Sequence, residues 1–339
     1  MKKFLLTLLK YVAAFGIGGF LIWWSLHDLS KADWVDIKTA LLRANYWLLL
    51  PVFALLMLSH FLRSLRWRQM LQPIGYNLPV IDLLCGLLIG YFANQFIPRA
   101  GEIIRCTVIA KKDKIPAEKL IGTIVVERTI DLVCLFTLSV ITFYLEYDHI
   151  KNYALDIVTA IGNSFSNNKL VLVVVLVVAV LAVVALFRLF RNRNGNAKID
   201  AVKRIIIGLK DGLLSVRKVQ NKALFILYTI AIWLCYALST WIGCFALEET
   251  AGITISSSIA LLVFGTFGVI VSPGGLGAYP IAIQRTLLLY GLSSNIGLAA
   301  GWLLWLAQFT FTIFFGALAY ITLSVRNKNN YEKYSVYTK

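Results

Sequence analysis

Negative charge is scarce in this chain and histidine scarcer: 17 Asp and Glu stand against 33 Lys and Arg, and the three histidines are His27, His60 and His149. These histidines lie far apart with no H-E-x-x-H, which leaves a zinc hydrolase without ligands. The five cysteines (Cys85, Cys106, Cys134, Cys235, Cys244) sit in or beside apolar runs with no C-x-x-C spacing, against a disulfide framework or a thiolate metal site. No nucleophile elbow, nucleotide loop or metal set occurs, so no catalytic residue, metal or cofactor is assigned. Charged residues make up 15% of the 339 and apolar ones 59%, a balance that excludes an ordinary water-soluble domain. That composition describes an all-α, polytopic integral membrane protein.

Full-length apolar spans are legible at about 4–26, 46–62, 120–146, 170–187, 223–247 and 298–324. Each is near the ~20 residues that cross hydrocarbon, which makes about six transmembrane helices. Lys2 and Lys3 give the first span the look of a signal peptide. Its length and the Trp23-Trp24 interfacial anchor favour an uncleaved helix. Two shorter, Gly-interrupted apolar stretches remain, 80–97 and 256–291, and charge decides how they run.

With the amino terminus in the cytoplasm and both short stretches re-entrant, segments 1–10, 63–79, 99–119, 188–222 and 326–339 all face the cytoplasm and hold 26 of the Lys and Arg. The outer loops hold Lys31, Lys38, Arg43, Lys151 and Lys169, the asymmetry that the positive-inside rule demands. A complete span at 80–97 would move the basic 99–119 stretch outside or invert everything after it. The net charge of +16 then reflects loops facing an anionic leaflet. Its spread over five membrane-flanking segments, with no recognisable binding module, speaks against nucleic acid as a partner. Residues 198–222 carry apolar positions at helical spacing with Lys and Arg between them, an amphipathic surface helix within a cytoplasmic linker at 188–222.

The single membrane domain, 1–339, reads as an inverted repeat. In the first repeat (about 46–146) a span runs inward, a hairpin enters from inside and a span runs outward; the second (about 223–324) reverses every direction. Phe92 precedes Pro98 by the interval that separates Phe267 from Pro273. Oppositely oriented broken segments in two halves are how many transporters build a substrate site at mid-membrane.

The candidate substrate-binding residues lie in those breaks: Asn94, Pro98, Arg99, Gly101, Glu102 and Arg105 in the first, Ser272, Pro273, Gly274, Gly275 and Gly277 in the second. Proline opens a helix without wasting an N–H, and glycines let amides converge on an anion. The positive ends of two half-helices, with Arg99 or Arg105, suit a phosphate. A second constellation, Glu127, Arg128 and Asp131, lies about two turns inside the span that follows. Glu127 and Asp131 share a face, and charges at that depth must turn inward and find partners such as Glu102 and Arg105. They serve either coupling and gating or a static ion-pair network; both readings stay open. Gly86 and Gly90, and Ala14, Gly18 and Gly19, have the spacing of close helix packing.

On Pro98-Arg99-Ala100-Gly101-Glu102 with Arg105, Glu127-Arg128 with Asp131, and Ser272-Pro273-Gly274-Gly275-Leu276-Gly277, the chain resembles the flippase-like membrane domain of the lysylphosphatidylglycerol synthases and its free-standing relatives over most of its length. Where relatives often continue the last motif with an Arg-Glu pair, this chain has Ala278-Tyr279-Pro280. Lys339 follows soon after the last span, leaving no room for the synthases' aminoacyl-transferase domain. The resemblance therefore implies movement of an anionic phospholipid or polyprenyl-phosphate-linked lipid between leaflets; the opposed hairpins point to alternating access, and the charge pattern places both termini on the cytoplasmic side of a prokaryotic inner membrane. A membrane-embedded headgroup enzyme using Glu102, Glu127 or Asp131 as acid or base, and a non-transporting scaffold for a partner enzyme, are the alternatives. Homo-oligomerisation is compatible with each.

Overall fold

The structure, a computed structural model, describes residues 15–97, 100–113, 115–147, 151 and 219–336. Pro98, Arg99, the span expected at 170–187 and nearly all of the expected linker at 188–222 lie outside these residues. The described elements are helices: α1 (Phe15–Leu26), α2 (Lys31–Arg43), α3 (Leu49–Leu71), α4 (Val80–Phe96), α5 (Gly101–Asp113), α6 (Ala117–Leu145), α7 (Lys222–Cys244), α8 (Ile255–Val271), α9 (Ala278–Leu289) and α10 (Ser294–Val336).

Polar residues at the loops start several of them. Ser30 and Asp33 close a capping box on α2, each side chain accepting from the other's backbone N–H. Thr254 accepts from Ser257 N at the head of α8, and Asn221 from Leu224 N at the head of α7. Pro79 and Pro116 precede α4 and α6, where a missing N–H costs nothing.

Among the described residues, three stretches are long and apolar enough to cross a membrane: Tyr46–Ile74, Lys222–Cys244 and Ser294–Arg326. They answer to the spans expected at 46–62, 223–247 and 298–324. The first runs on through the segment assigned to a cytoplasmic loop from residue 63, because its polar residues point into the protein instead of ending the helix. α6 covers the span expected at 120–146 and carries its charges in mid-helix.

α3 and α7 pack side by side in opposite directions: Val52 lies against Gly243, Arg63 bonds Tyr236, and Arg66 bonds Thr229. α4 and α5 form an antiparallel hairpin, since Gly86 meets Ile109 while Gly90 meets Gly101. A Cβ at Gly90 would stand 2.7 Å from the Gly101 carbonyl oxygen, so the arms touch backbone to backbone. α8 and α9 form a second hairpin in the same manner: Gly265 meets Ile283 and Tyr279, and Gly268 meets Tyr279 and Ala278. α4 and α8 have 17 residues each and rise about 26 Å, short of the ~30 Å hydrocarbon core.

α10 acts as a common rail for both hairpins. Going along it, Gly301 touches Pro280, the Trp305 indole N–H donates to the Gly274 carbonyl at 2.8 Å, Gly316 meets Phe92, and Arg326 reaches Asp82 at 3.1 Å. The second hairpin therefore lies along the first part of α10 with its turn pointing forward. The first lies along the later part with its turn pointing back. Gly301 to Arg326 rises about 38 Å, and the two turns face each other near its middle.

Among the described residues, three apolar clusters follow the same order. One gathers α2, the end of α7, α9 and the start of α10 around Leu261, Ile283 and Leu303. A central one joins Val52, Leu56, Leu88 and Phe311. The third, around Trp67, Leu71, Ile109 and Leu120, packs the far end of α3 on α5 and α6.

Candidate functional site: a buried arginine–carboxylate cluster beside two facing turns

Arg63 and Arg66 lie one turn apart on α3, and Glu127 and Asp131 one turn apart on α6, so each helix presents a pair on one face. Arg63 Nη1 donates to Glu127 Oε1 and to Asp131 Oδ2, both at 2.6 Å. Arg66 Nη2 donates to Asp131 Oδ1 at 2.8 Å and lies 3.8 Å from Glu127 Oε1. Arg105, one turn into α5, completes the set by donating from Nη2 to Glu127 Oε2 at 2.6 Å. Its guanidinium stacks 4.6 Å over the Trp67 ring, whose own N–H is taken by Thr123 Oγ1. Arg66 and Glu127 are fully buried, and Arg63 and Arg105 nearly so.

At the rim, Arg128 Nε lies 2.8 Å from Glu102 Oε1 and Nη1 lies 3.7 Å from Asp131 Oδ2. Arg128 and Glu102 retain 42% and 35% of their side-chain exposure, so this is where the cluster opens outward. Charges held in low dielectric persist only when opposed and hydrogen-bonded, and removing one partner leaves the others uncompensated. Even so, Arg63, Arg66 and Arg105 each keep a buried Nε–H with no acceptor. The Tyr236 hydroxyl at 3.4 Å and the Thr229 hydroxyl at 3.4 Å add donor–acceptor capacity from α7.

The turns make a second group. Asn94 Oδ1 accepts from Gly101 N at 2.7 Å, capping α5 from within its own hairpin. Ser272 Oγ donates to Leu276 O at 2.9 Å across the second turn, and Pro273–Gly275 forms a single 3-10 turn. Gly274 and Gly277 have φ of 60° and 74°, left-handed conformations that a Cβ would strain. At Gly274 a Cβ would also run into the Gln95 amide of the first hairpin, so the two turns touch there. Gly277 packs under α1, where a Cβ would stand 2.8 Å from the Gly18 carbonyl oxygen.

Of the residues singled out from sequence, the structure joins Glu102 and Arg105 to Glu127, Arg128 and Asp131 as one network. It sets the Ser272–Gly277 motif against the first hairpin at the turns, where Gln95 meets Gly274. The amide of Gly101, expected to face an anion, is occupied by Asn94. Gln284 is buried and bonds Ser294, while Arg285 is exposed. Arg63 and Arg66 went unrecognised because they look like the first charges of a cytoplasmic loop. The available signal was the polar stripe Ser59, His60, Arg63, Ser64 and Arg66, which continues the helical period of the span before it. Gln95, Trp305 and Tyr236 carried no such signal.

Spanning helices, two helical hairpins laid turn to turn and an ion-pair cluster buried among them define an α-helical integral membrane protein. The chain belongs to the family described as the lysylphosphatidylglycerol synthase TM region, which residues 11–316 match. It is also similar to the UPF0104 membrane protein MJ1595 of Methanocaldococcus jannaschii, 30% identical over 123 residues. That match covers 33% of this chain and 37% of the relative, so the chain aligns with little more than a third of the relative's length. No solved structure matches it.

Proposed function

We propose that the protein moves an anionic lipid between the leaflets of a prokaryotic inner membrane, with both termini in the cytoplasm and the two hairpins as re-entrant elements of an inverted repeat (about 46–146 and 223–324). The observation that carries this reading is the placement of two short hairpins turn to turn along α10, with a buried arginine cluster one turn from the first turn. Broken helices meeting at mid-membrane are where transporters bind cargo. Arginines in low dielectric are where a phosphate finds paired, charge-assisted donors. Membership of a family named for a lipid-modifying synthase adds weight to a lipid cargo. The positive-inside pattern orients the chain even without Arg63 and Arg66, because segments 99–119 and 188–222 dominate it.

In this reading the headgroup enters past Arg128 and Glu102 and engages the arginine cluster. The acyl tails stay in lipid, and one hairpin rocks against the other. Reconstitution into vesicles with fluorescent lipid in both leaflets, followed by chemical quenching of the outer one, tests it. The expected outcome is quenching beyond the outer-leaflet half in the wild type, lost in Arg105→Ala and Glu102→Ala proteins that remain folded. Wild-type protein that leaves the inner leaflet protected would refute transport.

A further inference from the structure

Each hairpin is held at its open end by one buried carboxyl, and the two are held differently. At the first, Asp82 in the opening turn of α4 is fully buried and takes Lys112 from the end of α5 and Arg326 of α10, the latter at 3.1 Å. At the second, Glu146, which closes α6 and is 5% exposed, accepts from Ser256 Oγ in the first turn of α8. The Tyr290 hydroxyl, at the end of α9, faces Glu146 and Ser257. One carboxyl thus ties α6 to both arms of the second hairpin through hydroxyls. Among the described residues no Lys or Arg forms an ion pair with it; Lys151 lies over the Tyr147 ring instead, at 5.7 Å. Asp148 and His149, next in sequence, lie outside the described residues. One turn inward on the same face of α6, Thr142 is 2% exposed and its Oγ1 has no partner.

We infer that Glu146 is a proton-binding switch on the second hairpin: ionised, it holds the open ends of α8 and α9 against α6, and protonated, it lets them part. Its use in moving lipid rests on the transport reading; the switch itself does not. An ionised carboxylate accepts from Ser256 and Tyr290 in charge-assisted bonds, which are stronger than neutral ones. A proton taken from water onto one carboxyl oxygen turns that oxygen into a donor, so it no longer accepts there, and the buried Thr142 hydroxyl offers it an acceptor. Protonating Asp82 would instead leave two cations uncompensated, whereas the hydroxyls around Glu146 serve either state. In the proposed topology α6 runs outward, so the proton reaches Glu146 from outside the cell.

Hydrogen exchange of the full-length protein in detergent, corrected for intrinsic rates, reads the switch without any assay of lipid. Peptides from 255–291 are compared at about pH 8 and about pH 5, a window in which desolvated carboxyls exchange their proton. In the wild type their protection is expected to fall about 10-fold at the acid pH, the order by which a charge-assisted hydrogen bond outweighs a neutral one. Peptides from 80–113, held by Asp82, should keep theirs. Glu146→Gln should give low protection at both pH values, Glu146→Asp should keep the response, and Tyr290→Phe should shrink it. Equal protection at the two pH values in the wild type, or an undiminished response in E146Q such as titration of His149 would give, overturns the switch. The quenching assay is then run with the outer solution at the same two pH values, where lipid movement is expected to depend on pH in the wild type and not in E146Q. A response in exchange with no lipid movement upholds the switch and removes the transport reading. Lipid movement with no response in exchange overturns the switch alone.

Discussion

Arg105 Nη2 and Glu127 Oε2 lie 2.6 Å apart with both side chains buried, tying the inner arm of the first hairpin to the helix that follows it. The hairpin is thus anchored by charge one turn below the point where it meets its counterpart. Four consequences can be measured.

Glu127 is the acceptor for Arg63 and Arg105, and it has Arg66 within 3.8 Å. Glu127→Gln should destabilise the protein by roughly 3–5 kcal/mol, because three buried cations then face Asp131 alone. The thermal midpoint in detergent reports it. Arg128→Gln, at the part-exposed rim, should cost less than about 1 kcal/mol; equal losses at the two sites would show that burial does not govern the network.

The facing turns should be linkable. In a background where the five native cysteines are replaced by Ala or Ser, Gln95→Cys with Gly274→Cys should join through a short bifunctional thiol reagent, read as resistance to separation after proteolysis between the repeats. Transport should stop while the link is intact and return on its cleavage. Failure to link would place the turns apart.

Close approach and capping in the first hairpin should separate. Asn94→Ala removes the acceptor for Gly101 N and should cost about 1 kcal/mol. Gly90→Ala drives a methyl into the Gly101 carbonyl and the Arg105 side chain, and should cost more, about 1–3 kcal/mol. Denaturant midpoints order the two variants.

At the loop end, hydrogen bonds from the Asn295 amide and then from Ser30 hold the Asp33 carboxyl below its ordinary range. A depressed carboxyl contributes stability above its unfolded value and loses it as pH falls through the folded one. Asn295→Ala removes the largest cause. The acid limb of a circular dichroism titration should therefore move to higher pH in that variant.

Much of this architecture was legible from the chain. Long apolar runs mark α3, α7 and α10, and the Pro-Gly motifs mark the hairpin turns, because length and helix breaking are local properties. The Glu127, Arg128 and Asp131 constellation was legible as inward-facing from depth alone, and so was its partnership with Glu102 and Arg105. Arg63 and Arg66 escaped because a charge at the end of an apolar run reads the same whether it enters water or folds back onto a neighbour. Only the presence of α6 across from them decides it. The contact between Gln95 and Gly274 escaped for a related reason: it joins residues far apart in sequence, and neither has a type that demands a partner.

The rail formed by α10 limits how such a molecule can move. Between Gly301 and Gly316 it has neither proline nor glycine, the residues at which helices usually bend, and Trp305, Gln308 and Phe311 all engage neighbours in that interval. A stiff spine shared by both hairpins cannot fold at the point where their turns meet. In the proposed transport cycle, separation of the turns would come from one hairpin peeling away, and the close contacts of Gly301 with the Pro280 backbone and of Gly316 with the Phe92 side chain are the natural places for that seam to open.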